Sequence, residues 1–290
     1  MANSLKTNFS AMTALQSLNA TNKSLEKTQG RISTGFKVNE ASDNAAYWAI
    51  ASTLRSDNAA LSTVQDSLGL GAGLVDVAYT GLTEAKDIVD QIRSKLLGAK
   101  EKSLDKNLVS LDIEALKNQL LGVATGASYS GQNWLIGPPN GSTTIVSNYS
   151  RTTTGAATVG VINIAVGSLA LFSTAAGANG LLGTVRLNTL SSATTDAQLD
   201  TFIADATTAV NALIRAATTV GTVKAQITLQ QDYVRNLRDA IDRGISSLVD
   251  ADMNEESTRL QALQVQQQLG VQALSIANQS SQSILRLFQS

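Results

Sequence analysis

Chemistry at neutral pH needs a group that titrates nearby or a good nucleophile, and this sequence offers few. Its 290 residues contain no His and no Cys. That removes the imidazole base and the serine triad built on it, the thiolate nucleophile, the disulfide, and the side chains most used to hold transition metals. Carboxylates and lysines remain, but no Asp or Glu occurs from Asn133 to Thr195, so the middle of the chain cannot supply clustered acids for acid–base work or for a metal. Gly69-x-Gly71-x-Gly73 has a spacing that suggests a phosphate loop. No strand-like run precedes it and it carries no Lys, so a helix kink or a close approach by another segment is the reading. No catalytic residue, metal site or cofactor is expected.

The charge balance excludes further classes. Lys and Arg number 22 against 23 Asp and Glu, for a net charge of −1, and no basic stretch could track a phosphate backbone, so no nucleic-acid partner is expected. Nowhere do about 18 uncharged apolar residues run together, so no membrane span is expected. The opening MANSLKTNFS lacks a basic region followed by an apolar run and does not read as a cleavable signal. Taken alone, this describes a soluble cytoplasmic protein. Hydrophobic residues make up 43% of the chain and aromatics only 4%, which points to a core of Ala, Leu, Val and Ile between closely packed helices.

The elements follow from periodicity. The only prolines, Pro138 and Pro139, are adjacent, and a Pro inside a helix costs about 3 kcal/mol, so both flanks are free to be helical. Leu5, Phe9, Met12, Leu15, Leu18, Leu25 and Ile32 recur at helical intervals. Gly35 fits a left-handed cap after them, and Asn39 or Ser42 could start a second helix with Asp43 near its positive end. That helix carries Ile50, Leu54, Leu61, Val64, Leu68, Val75, Leu82, Val89, Ile92 and Leu96. A third is expected after Ser103, with Leu104, Leu108, Leu111 and Leu120 as its stripe. The segment 129–195 is rich in Thr, Ser, Gly and Ala, and its β-branched runs Thr143–Tyr149 and Val159–Val166 predict strands.

Helical spacing returns from Asp196. Leu199, Ala206, Leu213, Val220, Ile227 and Val234 lie seven apart, which predicts coiled-coil packing. Arg235–Asp239, Arg238–Asp242, Asp239–Arg243 and Glu255–Arg259 are i,i+4 pairs on what reads as a solvated face. The tail carries Leu263, Leu269, Leu274, Ile276, Ile284, Leu287 and Phe288 with almost no charge. Burying the seven apolar residues of the first arm releases about 10–20 kcal/mol. Ordering the roughly thirty residues that bear them costs at least as much, so the ends need further burial. Neighbouring copies are one source, and the rest of the same chain is the other; periodicity does not choose between them.

Two stretches then carry a resemblance. Gly30 to Ala51 (GRISTGFKVNEASDNAAYWAIA) resembles the flagellin signature, an Arg-Leu-Ser-Ser-Gly-like run followed by an Asp-Asp-Ala-Ala-Gly-like run, through Arg31, Ser33, Gly35, Ala41, Asp43, Ala45 and Ala46. Ile245 to Glu256 (ISSLVDADMNEE), with Asp250 and Asp252, is similar to the family's Asp-Ala-Asp-Met segment, and Ala277-Asn278-Gln279 to its terminal helix. Asn44 and Tyr47 stand where the second Asp and the Gly are usual, as in the alphaproteobacterial branch.

The resemblance implies a mainly α fold: a long antiparallel helical bundle or coiled-coil rod formed by both chain ends, with a small β-rich central insertion. It implies a terminal filament-core domain (1–42 and 252–290), a helical rod domain with a β-hairpin (43–137 and 196–251) and a small surface-exposed β-rich domain (138–195). The implied function is the structural subunit of the bacterial flagellar filament, the propeller of swimming, with a hook–filament junction protein as the alternative. Implied partners are further copies of the chain, other flagellins, the flagellar export apparatus and its chaperone, and the hook-associated and cap proteins. Export through that apparatus, to an extracellular filament, replaces the cytoplasmic reading. The polymerisation interface is expected at the two apolar stripes of the chain ends. The segment read by the animal innate receptor falls on Asp90–Leu97, where Arg93 matches while Gln91 and Lys95 replace a usual Arg and Leu.

Overall fold

The computed structural model describes residues 8–101, 104–137, 141–152, 154–173 and 180–287, the last eight of these by backbone alone. Long helices dominate: α1 (Phe9–Thr34), α2 (Ala45–Gly98), α3 (Lys106–Gly126), a short α4 (Gly183–Leu187), α5 (Asp196–Val249) and α6 (Met253–Leu287). Between α3 and α4 lie two antiparallel hairpins, β1 (Ser128–Tyr129) with β2 (Gln132–Asn133), and β3 (Thr143–Arg151) with β4 (Ala157–Ile164). The chain divides into two compact units, one of Met1–Ser56 with Ala240–Ser290, the other Asp57–Asp239.

In the unit Asp57–Asp239, seven-residue spacing decides what is buried. On α2 the residues Leu61, Leu68, Val75, Leu82, Val89 and Leu96 are all buried, and so on α5 are Leu199, Ala206, Leu213, Val220, Ile227 and Val234. A strict heptad keeps one seam turned to the partner along its whole length. The two helices run antiparallel: Arg238 donates to Asn58 Oδ1 (3.0 Å) and Gln65 Oε1 (2.6 Å), Lys224 pairs with Asp76 (2.7 Å), and Lys100 pairs with Asp200. The predicted charge pattern on α5 and α6 is therefore partly redirected. Glu255–Arg259 forms at 2.8 Å, but Arg235 turns to Asp232 (3.2 Å), and Arg238 crosses to α2.

Three glycines of α2, Gly71, Gly73 and Gly81, are notches in a continuous helix. A Cβ on Gly71 would stand 2.6 Å from Ile145 Cδ1 and 2.8 Å from its Cγ2, one on Gly73 would stand 2.8 Å from the Tyr129 ring, and one on Gly81 would stand 2.4 Å from Leu135 Cδ1. The close approach expected at the first two is thus made by side chains of the hairpin region. The segment expected on the surface also supplies core, since Ile145, Ile162, Ile164, Leu171, Phe172 and Leu182 are buried. Arg151 donates to Asp57 (2.6 Å), and the Tyr149 hydroxyl donates to the same carboxylate (3.2 Å), tying β3 to α2.

Three expectations change. Asn44, whose Oδ1 accepts from the N–H groups of Ala46 and Tyr47, caps α2 in place of Asn39 or Ser42. Asp105, accepting from Asn107 N–H, caps α3 in place of Ser103, which lies outside the described residues. The buried face of α3 is Val109, Ile113, Leu120 and Ala124, while Leu104, Leu108 and Leu111 are exposed. Both stripes satisfy the helical period, and α3 turns its β-branched one inward.

The notches give a sharp contrast. Gly71→Ala is expected to lower the stability of this unit by about 1–3 kcal/mol, because buried, β-branched Ile145 has no free rotamer to retreat into. Gly69→Ala, with nothing within 4 Å, is expected to raise it by up to about 1 kcal/mol. Thermal melts of the two variants against the parent decide this; equal effects would refute the notch.

Candidate assembly surface at the paired chain ends

Local signals fix where α1 begins and ends. Asn8 Oδ1 accepts from Ala11 N–H (3.0 Å), satisfying an orphan donor of the first turn. Gly35 adopts φ 75° and donates to Arg31 O (2.8 Å), the left-handed cap its sequence position predicted. The chain beyond it is clasped by backbone. Lys37 and Val38 N–H donate to Val249 O (2.7 and 3.3 Å), Ala251 N–H donates to Gly35 O (2.8 Å), and Phe36 bridges Asp250. Under this clasp Val38, Ala51, Ile245 and Val249 form a core with Phe36, Leu54, Ile241 and Leu248 packed against it, and the Arg55 guanidinium lies 5.0 Å above the Phe36 ring. Asp252 Oδ1 then accepts from Asn254 and Glu255 N–H (2.9 and 3.3 Å), capping α6, whose first turn holds Glu255 and Glu256 against the helix dipole.

The two terminal helices pack antiparallel in one register. Asn8 Nδ2 donates to Ala277 O (3.0 Å), Leu18 Cδ1 lies 3.1 Å from where a Gly270 Cβ would sit, Gln267 donates to Asn22 Oδ1 (2.9 Å), and Arg31 pairs with Glu256 (2.8 Å). The shielded residues of α1 are Ala11, Ala14, Leu18, Thr21, Leu25, Thr28 and Ile32, with Arg31 at the edge of the seam, and those of α6 are Glu256, Leu260, Leu263, Gln267, Gly270, Leu274 and Ala277. Both sets alternate steps of three and four, the coiled-coil seam.

The apolar residues expected as one stripe therefore divide between two faces. Leu18, Leu25, Ile32, Leu263 and Leu274 are half-buried in the seam. Phe9, Met12 and Leu15 are 63%, 58% and 48% exposed, and Leu269 and Ile276 are 57% and 67% exposed. Val265 and Val271 are exposed as well. The reason is size: Ala11, Ala14, Gly270 and Ala277 let the helices approach closely, and that turns the larger side chains outward. Leu5 and Phe288 lie outside the described residues; Ile284 and Leu287 belong to the last turns of α6, whose side chains are not described.

One charged cluster is buried here. The Glu256 carboxylate, 5% exposed, sits between Arg31 (2.8 Å) and Arg259 (3.1 Å), and Arg259 also reaches Glu255 (2.8 Å). Glu256 escaped the sequence reading because the neighbouring Glu255–Arg259 pair marks a solvated face. Asn8 was legible as a cap directly before the first apolar residue. Asp43 is held below the usual carboxylate range by the Lys27 ammonium bonded to it (2.7 Å), with help from the Asn39 N–H. Of the other signature residues, Ser33, Ala45, Ala46 and Asn278 are exposed. On α2 and α3, Gln91 is exposed, Arg93 pairs with Asp90 (2.9 Å), and Lys95 pairs with Asp112 (2.6 Å).

These features define a helical structural protein whose two chain ends close on each other and leave an apolar face uncovered. The bacterial flagellin N-terminal helical region matches residues 5–138, and the bacterial flagellin C-terminal helical region matches residues 203–288. "Flagellin C" of Rhizobium meliloti (strain 1021) is 44% identical over 318 residues, covering 99% of each chain. "Flagellin" of Brucella melitensis biotype 1 is 45% identical over 288 residues, again covering 99% of each. "Flagellin A" of Rhizobium meliloti (strain 1021) is 35% identical over 392 residues, covering 99% of this chain and all of its own. The chain belongs to the bacterial flagellin family. It is a structural subunit that assembles with itself into the extracellular flagellar filament and serves motility, and it is not an enzyme.

The buried ion pair gives the test of how the ends are joined. Arg31→Ala is expected to destabilise the α1–α6 pair by about 1–3 kcal/mol, because it strips one partner from a desolvated carboxylate. Arg259→Ala, at an exposed position, is expected to cost under about 1 kcal/mol. A double-mutant cycle of Arg31 with Glu256, read by thermal melting, measures the coupling; a coupling of zero would remove this clasp.

Proposed function

We propose that the paired helices α1 and α6 are the polymerisation unit, residues 1–42 and 252–290 forming the filament-core domain. The outward face of Phe9, Met12, Leu15, Val265, Leu269 and Ile276 is buried between neighbouring copies. The observation that carries this is the exposure of six large apolar side chains on two helices already paired through another face. Large apolar side chains left uncovered on helices that are already paired mark interaction surface, and repeated head-to-tail contact without ring closure gives a fibre. Residues 43–137 and 196–251 form the adjoining helical domain, and 138–195, most of which neither family model matches, forms the variable outer one. The chain reaches the outside through the flagellum's own export apparatus with an export chaperone. It meets hook-associated and cap proteins at the filament ends and shares the filament with other flagellins where a cell makes several.

Charge placed on the outward face should separate assembly from folding. Ile276→Asp or Leu269→Asp is expected to abolish pelleting of filaments and leave monomer melting within about 0.5 kcal/mol of the parent, as for a surface change. Leu18→Asp, in the seam, is expected to lower the melt as well, since it buries an unpaired carboxylate. Filaments formed undiminished by Ile276→Asp would sink the assignment.

The segment Asp90–Leu97 we read as a poor target for the animal receptor, because Gln91 and Lys95 replace the usual Arg and Leu. One charged hydrogen bond is worth about 1.5–3 kcal/mol. Restoring both residues, Gln91→Arg with Lys95→Leu, should raise receptor signalling by purified monomer at least tenfold. An unchanged dose response would refute this reading.

A further inference from the structure

The start of α2 shows a second uncovered face, and it includes Tyr47, one of the positions where this chain departs from the flagellin signature. Ala45, Ala46, Tyr47, Trp48, Ala49 and Ile50 are all exposed, and the first buried residue of the helix is Ala51. Tyr47 is 44%, Trp48 39% and Ile50 50% exposed. No charged residue occurs between Asn44 and Arg55. A helical segment that is apolar on every side belongs in an interior, yet among the described residues nothing in its own unit covers this one. The segment is also held rigidly. Asn44 caps it, and Ala51 and Leu54 anchor the next turn in the core beneath the backbone clasp.

We infer that Ala45–Ile50 is an intersubunit contact, covered in the filament by a second copy of this chain. The inference rests on the assembly reading above and adds a separate surface to it. Three observations favour a second copy over a foreign partner. The chain assembles with itself. The residues Ala45 to Ile50 themselves carry no charge with which to select a foreign protein, although Tyr47 borders the charged groups of Arg31, Asp43, Glu255 and Arg259. Its area is small: at about 150–250 Å² for a complete aromatic side chain, the three large residues expose roughly 200–300 Å². That is far below the roughly 800 Å² per partner of a stable two-body interface. Such a patch cannot hold a dimer in solution, but it adds to a lattice in which each copy touches several others. Adjacent Tyr and Trp are the residue types that dominate interface energetics once water is excluded.

Trp48 reports on its own burial. The chain has two tryptophans, and Trp134 is already buried. Subtracting the Trp48→Phe variant from the native chain therefore isolates the exposed ring without disturbing the core. Acrylamide quenching of native monomer and of pelleted filament is the measurement. In the filament the Trp48 component should become at least about fivefold less quenchable and shift its emission to the blue. Trp48→Gln should raise the monomer concentration left in equilibrium with filament about tenfold, with the monomer melt unchanged. Filaments that pellet normally while Trp48 stays as quenchable as in the monomer would overturn this inference and leave the polymerisation unit standing. Protection already present in dilute monomer would overturn it too, since the chain would then cover its own face. A native chain that forms no filament would overturn both.

Discussion

The backbone clasp between residues 35–38 and 249–251 is the constraint on which the terminal unit depends. It forms where α1 has just ended at a left-handed Gly35 and α6 is about to begin at Asp252. Main-chain hydrogen bonds leave no freedom to slide, so the clasp fixes the register of every later contact, from Arg31–Glu256 to Asn8–Ala277. A helical seam mixing leucines with Thr21, Thr28 and Gln267 specifies register weakly by itself. The buried Glu256 adds to that specification, because a one-turn slip would take Arg31 away and leave the carboxylate with Arg259 alone.

The second unit solves a different problem. With aromatics at 4% of the chain, bulk cannot come from large rings, and α2 instead lets its neighbours come close. Gly71 and Gly81 remove the side chains that would hold Ile145 and Leu135 away. Each glycine weakens the helix by about 1 kcal/mol relative to Ala, and the packing it admits offsets that loss.

Small residues shape the assembly surface as well. Where Ala11, Ala14, Gly270 and Ala277 line the seam, the two terminal helices meet closely, and Phe9, Met12, Leu269 and Ile276 have no place between them. The monomer thus leaves part of its large apolar groups, Phe9, Met12, Leu269 and Ile276 among them, on the outside. That arrangement is costly for an isolated chain and stabilising for a polymer, in which the same surface leaves water.

Much of this was legible in the sequence. The heptads Leu199 to Val234 and Leu61 to Leu96 are strict enough that periodicity alone named the buried face, because one residue per two turns always faces the partner. Gly35 as a cap, the two strands, the flagellin signature and the absence of His and Cys chemistry were equally plain. What the sequence could not decide was which of two helical stripes faces inward when both satisfy the period. On α3 the leucines Leu104, Leu108 and Leu111 gave way to Val109 and Ile113, and on α1 Phe9 and Met12 gave way to Ala11 and Ala14. Glu256 was invisible for the same reason, since its carboxylate is buried only when Arg31, 225 residues away, joins its helix neighbour Arg259 beside it. Local sequence sets period and caps; the neighbour's shape sets which face is covered, and that exists only once the chain has folded.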